Sequence, residues 1–268
     1  MKKRERIPAL ISFDAEEFDL PKEYGAAISP EEQNAVSAEG TAALLDFLDR
    51  EAMGTATFFV TVRFARDNPV LVRRMVQGGH ELASHGMSHS DFKLGDLAES
   101  RRMLSEIGEC PVTGFRPARL LAVDKQAIAD AGYRYESALN PVWIPGRYNH
   151  FFAPLKPFRE SCGLWQIPVT AIGGIRFPLF WLSFKTLPLG LYCRLARFAA
   201  RCNGVFNLYT HPWEYNKRSR SSCWNVPRYI TRHAGYEQML RLAWLRHQLA
   251  RDCAFMTFSA YLDRKERS

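Results

Sequence analysis

The apolar positions of this chain fall into short runs, and helical patterns lie between them. Ile7–Asp14 is an apolar run that ends in acids, the pattern of a buried strand with carboxylates at its C-terminal end. Pro30 and Glu31 open a helical pattern that continues to about Arg50. Gly54–Val62 is β-branched and aromatic and predicts a second buried strand. Asn68 and Pro69 start a helix through Val76, which Gly78 and Gly79 stop. His80–Ser84 predicts a short strand and Asp91–Ile107 an amphipathic helix. Thr113–Arg116 and Gly132–Glu136 read as strands on either side of a helix at Asp124–Ala131. Leu164–Val169 and Val205–Tyr209 are further strands, Tyr236–Arg251 a helix and Ala254–Phe258 a last strand. The tail from Asp263 is basic and expected to fray.

Strands alternating with helices imply βα units around a parallel sheet. The number of units, about seven or eight, favours a barrel over an open sheet. No repeat, low-complexity tract or flexible linker interrupts the pattern, so residues 1–268 read as one domain. In a parallel barrel the reactive groups sit at the C-terminal ends of strands.

Composition narrows the class. Hydrophobic residues make up 47% and charged residues 24% of the 268, which excludes a disordered or fibrous chain. The formal net charge is +8 and points to anionic large partners, without choosing among phosphate, glycan, lipid or nucleic acid. No nucleic-acid motif appears, and the basic residues are spread along the chain. The apolar run after the charged N-terminus is too short for a signal peptide, and no stretch reaches the ~18 apolar residues of a membrane span. The reading is cytoplasmic. The six cysteines include no CxxC pair; all six are expected to stay reduced and to act as small buried hydrophobes.

Four polar clusters stand at strand ends. Asp14, Glu16 and Glu17 form the first, and strand alternation puts Asp14 and Glu16 on one face. Two carboxylates there repel unless a cation or proton lies between them; the same pattern also suits a solvated loop. His85-Gly86-Met87-Ser88-His89 is the second, with histidines spaced to share one face of a helical turn and one metal. Two histidines and a carboxylate with an open position describe a catalytic zinc centre. His80 reads as structural. Arg116 in Gly-Phe-Arg-Pro is the third; near a carboxylate it would orient it. Tyr209-Thr210-His211-Pro212-Trp213-Glu214 is the fourth, with His211 suited to general acid work.

In this order, SFDAEE, TATFFV, HELASHGMSH, GFRP, GYRYES and YTHPWE resemble the NodB-type polysaccharide deacetylases, the fourth carbohydrate esterase family. The resemblance runs from about Ile7 to Leu262 and is closest to the subgroup with F-D-x-E and H-P-W-E motifs. It implies a deformed (β/α) barrel, a divalent transition metal (usually zinc), and hydrolysis of an N-acetyl group on an amino sugar, with polymeric and lipid-linked substrates both left open. It also implies that Asp14 is the catalytic base, that His85 and His89 are metal ligands, that Arg116 holds the base and that His211 is the general acid. The commonest family pattern has two adjacent aspartates, and here the second place is Ala15. The metal carboxylate is then Glu16, with exchange of roles with Asp14, or a part for Glu17, left open. Trp213, Glu214, Arg232 and His233 are candidates for binding substrate, the last two for an anionic group. Glu136 stands where the subgroup usually has Asp, a change expected to be tolerated away from the reacting atoms.

Residues 174–201 interleave Phe177, Phe180, Trp181 and Phe184 with Lys185, Arg194, Arg197 and Arg201. A basic amphipathic helix of this kind can lie in a membrane interface, which would suit a lipid-linked substrate at the inner face of the membrane. The same pattern also suits a barrel helix with a solvated face. Two rival functions remain in view: a related amidohydrolase or deformylase acting on another amide, and an inactive glycan-binding protein.

Overall fold

Ile7–Ala15 is the strand on which the sheet is built, and it is buried over most of its length. A parallel strand covered on both faces needs an apolar run of this kind. The computed structural model describes residues 5–267, so the charged start at residues 1–4 and Ser268 lie outside the described residues. Along one edge of the first strand runs Phe206–Thr210. Along the other run Cys253–Phe255, beside its first half, and Thr57–Val60, beside its second. From Thr57–Val60 the sheet continues in parallel through Glu81–Ser84, Gly114–Phe115, Tyr135–Glu136 and Trp165–Gln166, and ends on antiparallel Phe158–Arg159.

This curled sheet is the deformed barrel that the resemblance implies, and it closes without a full ladder. After Gln166 the chain still follows its neighbour, with Ile167 N donating to Glu136 O and Val169 N to Leu139 O. It then crosses to the other end of the sheet, where Thr170 N donates to Asn207 O and Asn207 N to Thr170 Oγ1. The Asn207 amide adds bonds to Pro168 O and Ser137 Oγ. One buried asparagine thus joins the two sheet ends.

Side-chain alternation on the first strand sets up the site. Ile11, Phe13 and Ala15 pack outward against the helices. Leu10, Ser12 and Asp14 share the opposite face. Leu10 packs with Phe59, Ala83, Tyr135, Ile167 and Phe258 in a small apolar cluster that fills the barrel floor. Ser12 and Asp14 stand above it, so the interior turns polar toward the strand C-termini.

The helix Pro30–Arg50 starts where the sequence predicts, with Ser29 and Glu32 forming a capping box. Its Gly40 lies against the Pro212–Trp213 backbone: a Cβ there would sit 2.1 Å from Pro212 O. The close approach fixes the loop that carries His211. Gly40→Ala is expected to cost about 1–3 kcal/mol, the usual range for overpacking. Thermal unfolding measures it, with Gly95→Ala as the comparison, because nothing lies within 4 Å of a Cβ at Gly95.

Several sequence expectations are corrected. The strand predicted at Gly54–Val62 is limited to Thr57–Val60, because Thr61 caps a helix at Val62–Asp67. The helix predicted from Asp91 begins at Leu97, after a 3₁₀ turn at Leu94–Asp96. The last strand is Cys253–Phe255, and Thr257 caps a helix Phe258–Glu266 that takes in most of the tail expected to fray. That helix is tied down by Arg134 bonding Asp263 and Glu266 and by Trp165 Nε1 bonding Glu266. Cys193 and Cys253 are buried as expected, but Cys202 and Cys223 are exposed.

Candidate active site

Arg116 is fully buried and sits between the barrel floor and the cleft. Its Nε donates to Ser137 O at 2.8 Å, and Nη1 donates to Ser12 Oγ at 2.9 Å and Asp14 Oδ1 at 2.5 Å. Its guanidinium stacks 3.9 Å from the centre of the Phe59 ring. A planar cation satisfied on every edge is a rigid support. It holds one oxygen of Asp14 and leaves the rest of the carboxylate for the cleft, which Asp14 lines.

Glu16 follows the first strand and engages both histidines. Its Oε2 lies 2.9 Å from His85 Nε2 and 3.2 Å from His89 Nε2. The two histidines are not on a helical turn as the spacing suggested. They stand in a loop, which Gly86 turns at φ +88°. Each ring is fixed from behind: His85 Nδ1 lies 2.7 Å from Arg116 O, and His89 Nδ1 lies 2.7 Å from Asp19 Oδ1. A carbonyl only accepts, so His85 Nδ1 carries the proton there and its Nε2 faces the carboxylate. Asp19 imposes the same choice on His89. Two imidazole Nε2 atoms therefore converge on one carboxylate oxygen, and without a metal the charge between them has to be balanced by protons. Burial works against charge on Glu16, yet the histidines, His89 foremost, hold its carboxyl down to about 2. Burial likewise disfavours charge on His89, and the carboxylates of Glu16 and Asp19 outweigh it, raising the imidazole to about 9.

Glu17 turns aside. It accepts from Thr61 Oγ1 and His89 N, and burial pushes its carboxyl up. His80 is structural, as read: its Nδ1 accepts from Ala56 N. Glu136 is buried against Lys125 and Gln166, outside the cleft lining.

His211 comes from the end of Phe206–Thr210 and faces the cluster, its Nε2 4.0 Å from Glu16 Oε1. Trp213 stacks on its ring, and Trp181 and Tyr209 meet it edge-on. Its Nδ1 lies 2.9 Å from Glu214 Oε1, and Glu214 Oε2 lies 2.7 Å from Lys185 Nζ. Burial opposes the charged form of His211, and the bond to Glu214 reverses that, so its pKa is raised. Glu214 and Lys185 are both fully buried. The candidate substrate residue Glu214 is therefore corrected: it lies behind His211 and touches no cleft surface, because Lys185 and the imidazole take both its oxygens. Lys185 in turn leaves the basic surface on which its spacing put it. Lys185→Met would strand the Glu214 charge and is expected to cost about 3–5 kcal/mol, measured by thermal unfolding. Adding Glu214→Gln to that variant should restore part of the loss.

Trp213 lines the cleft, together with Phe180, Trp181, Tyr209, Tyr148, Arg119 and Arg147. The cleft holds about 260 Å³. Arg232 and His233 do not reach it: the lining ends at Ile230, Arg232 is exposed, and His233 pairs with Glu237. Sequence reasoning missed Asp19 and Lys185. Asp19 is one more acid in a run of four, and Lys185 carries no local mark of burial; both are specified by long-range packing.

Three atoms, one each from Glu16, His85 and His89, lie within 4.8 Å of one another and form a candidate metal centre among the described residues. Residues 29–135 match the family model described as polysaccharide deacetylase. The chitooligosaccharide deacetylase of Sinorhizobium fredii is 39% identical over 69 residues, 24% of this chain and 32% of that protein. The alignment thus spans about a third of that relative's length. A putative polysaccharide deacetylase from Mycobacterium smegmatis superposes with a TM-score of 0.59 at 18% identity, covering 96% of each chain. A CE4 family pseudoenzyme from Bacillus anthracis superposes at 0.53 with 10% identity, over 96% of this chain and 66% of that one. The resemblance to polysaccharide deacetylases holds over residues 29–135, and the fold is that of these structures. A neighbour that is a pseudoenzyme shows that fold alone does not decide activity.

Proposed function

We propose that this chain, as one catalytic unit, is a metal-dependent hydrolase that removes the N-acetyl group from an amino sugar and releases acetate. The observation that carries this reading is the convergence of Glu16, His85 and His89 beside an Asp14 held by buried Arg116, with His211 facing them. The donor set fits a divalent transition metal: each imidazole gives its Nδ1–H to an oxygen and keeps Nε2 for the centre, the usual arrangement of metal-bound histidine. Zinc or a similar ion held there supplies Lewis acidity toward the acetamide carbonyl. The division of labour favours Glu16 as ligand and Asp14 as base, because Glu16 meets both histidines while Asp14 is tied to Arg116.

The chain's own groups then do the following. Asp14 takes the proton of the attacking water at the oxygen that Arg116 leaves free. As the C–O bond forms and the C–N bond breaks, His211 gives a proton to the leaving nitrogen. Glu214, itself anchored by Lys185, holds that imidazole oriented and favours its protonated form. Trp213, Trp181 and Tyr148 offer the aromatic walls on which a sugar ring can pack.

The substrate we infer is an N-acetylated amino sugar within a polysaccharide or a lipid-linked glycan precursor, reached at the cytoplasmic side of the membrane. No helix among the described residues is long and apolar enough to cross a membrane. The test is acetate release by metal-loaded protein from N-acetyl chito-oligosaccharides and from lipid-linked N-acetyl sugars. His211→Ala is expected to lose ~10²–10⁴-fold, the range for a general acid. Sugar binding without acetate from any of these would overturn the reading in favour of a binding protein.

A further inference from the structure

We propose that two packed surface hairpins, the first of which borders the cleft, dock on an anionic lipid bilayer. This does not rest on the deacetylase reading. The net charge of the chain is concentrated in one stretch. Residues 137–213 hold eight Lys or Arg against a single acid, Glu160, which leaves 28 against 27 for the rest of the chain. Both hairpins lie in that stretch.

The first hairpin pairs Trp143–Ile144 with Tyr148–Asn149, and the second pairs Ala171–Ile172 with Phe177–Pro178. They are one structural unit. Val142 and Tyr148 of the first pack on Ala171 of the second. Arg176 donates to Pro141 O and Ala153 O and lies 5.6 Å from the Phe151 ring. Large apolar side chains nevertheless point out of this unit: Phe152 is 92% exposed, Ile175 73%, Trp143 60% and Phe151 37%. Phe151 and Phe152 rings meet at 5.3 Å, so they form a patch and not scattered residues. Clustered exposed apolar residues of this size mark an interaction surface. On the other face of the same ribbon, Ile144, Arg147 and Tyr148 line the cleft.

Charge selects the occupant. Aromatic residues among basic ones, with no acid from 137 to 159, suit the head-group boundary of an anionic membrane. The location differs from the 174–201 helix that the sequence suggested. There, Phe184 and Lys185 are buried, and Arg197 and Arg201 are paired with Asp252. Leu191 and Phe198 remain exposed on that helix, while Ile175 belongs to the hairpin unit.

The experiment is co-sedimentation of the full chain with phosphatidylglycerol–phosphatidylcholine vesicles (about 1:1) and with pure phosphatidylcholine, at low and high salt. Wild-type protein is expected to bind the anionic vesicles, more weakly at high salt, and not the neutral ones. Phe152→Asp with Ile175→Asp, and separately Trp143→Ser, should lower the bound fraction roughly tenfold or more at an unchanged melting temperature. Val70→Asp, an equally exposed site on the helix Pro69–Gln77, should bind like wild type. Absence of wild-type binding to anionic vesicles overturns the proposal, as does equal loss in Val70→Asp. A dimer in sedimentation velocity that the hairpin variants dissolve, with no vesicle binding, would assign the surface to a second copy of the chain.

Discussion

Alanine at both His85 and His89 is expected to reduce bound divalent metal from about one equivalent per chain to none, and acetate release with it. Elemental analysis of freshly purified protein reads the first quantity directly. The expectation follows from how the rings are held. Neither imidazole is free to swing away, because Arg116 O and Asp19 each fix an Nδ1. Asp19→Ala should therefore weaken metal binding by about 10–100-fold while leaving all three ligands in place. Protons compete for the same atoms. In metal-free protein His89 titrates near 9 and the Glu16 carboxyl near 2. A metal has to displace the His89 proton, so affinity should rise with pH up to about 9. The sign for stability is the reverse. His89 is raised above its ordinary value of 6.5 when folded, so its contribution is full below that value and is lost as pH climbs through about 9. Chelator-treated protein should melt at a lower temperature at pH ~10 than at pH ~6. Equal metal content in wild type and double variant would show that the metal is not held at Glu16, His85 and His89.

The sheet and the main helices were legible because each buried strand is a continuous apolar run, and because Pro30-Glu31 and Asn68-Pro69 mark where helices begin. The strand-end rule led to Asp14, Glu16, His85, Arg116 and His211, and all five line or directly support one cleft. What could not be read was set by contacts distant in sequence. Thr61 ends a strand early because its hydroxyl caps the next helix and also bonds Glu17. Glu214, a candidate for binding substrate as the last residue of the Y-T-H-P-W-E motif, is instead buried, and its burial depends on Lys185, 29 positions earlier in the chain, coming to lie against it. Arg232 and His233 follow the His211 motif closely in sequence, but the chain turns away at Ile230 before they could reach the cleft. The histidine spacing was the right signal attached to the wrong element: a glycine turn at Gly86, and not a helical turn, brings the rings together.

Asp14→Asn is the variant that separates base from ligand. It is expected to keep metal at about one equivalent per folded chain while turnover falls by ~10²–10⁴, the loss usual for a catalytic acid or base. Asparagine preserves the shape of the side chain but cannot take a proton from water. Glu16→Gln should behave oppositely, losing metal first, because its carboxylate is the one that meets both imidazoles. Stability has to be followed alongside. Asn at position 14 leaves the fully buried Arg116 without its counter-charge, and breaking such a pair costs about 3–5 kcal/mol, though Ser12 and Ser137 still bond the guanidinium. A lower melting temperature in Asp14→Asn is therefore part of the expectation, and the metal ratio is taken on the folded fraction. If Asp14→Asn lost the metal and Glu16→Gln kept it, the two carboxylates would have exchanged roles. Arg116 would then be steadying a metal ligand, and Glu16, lying between two imidazoles and facing His211, would be the proton acceptor.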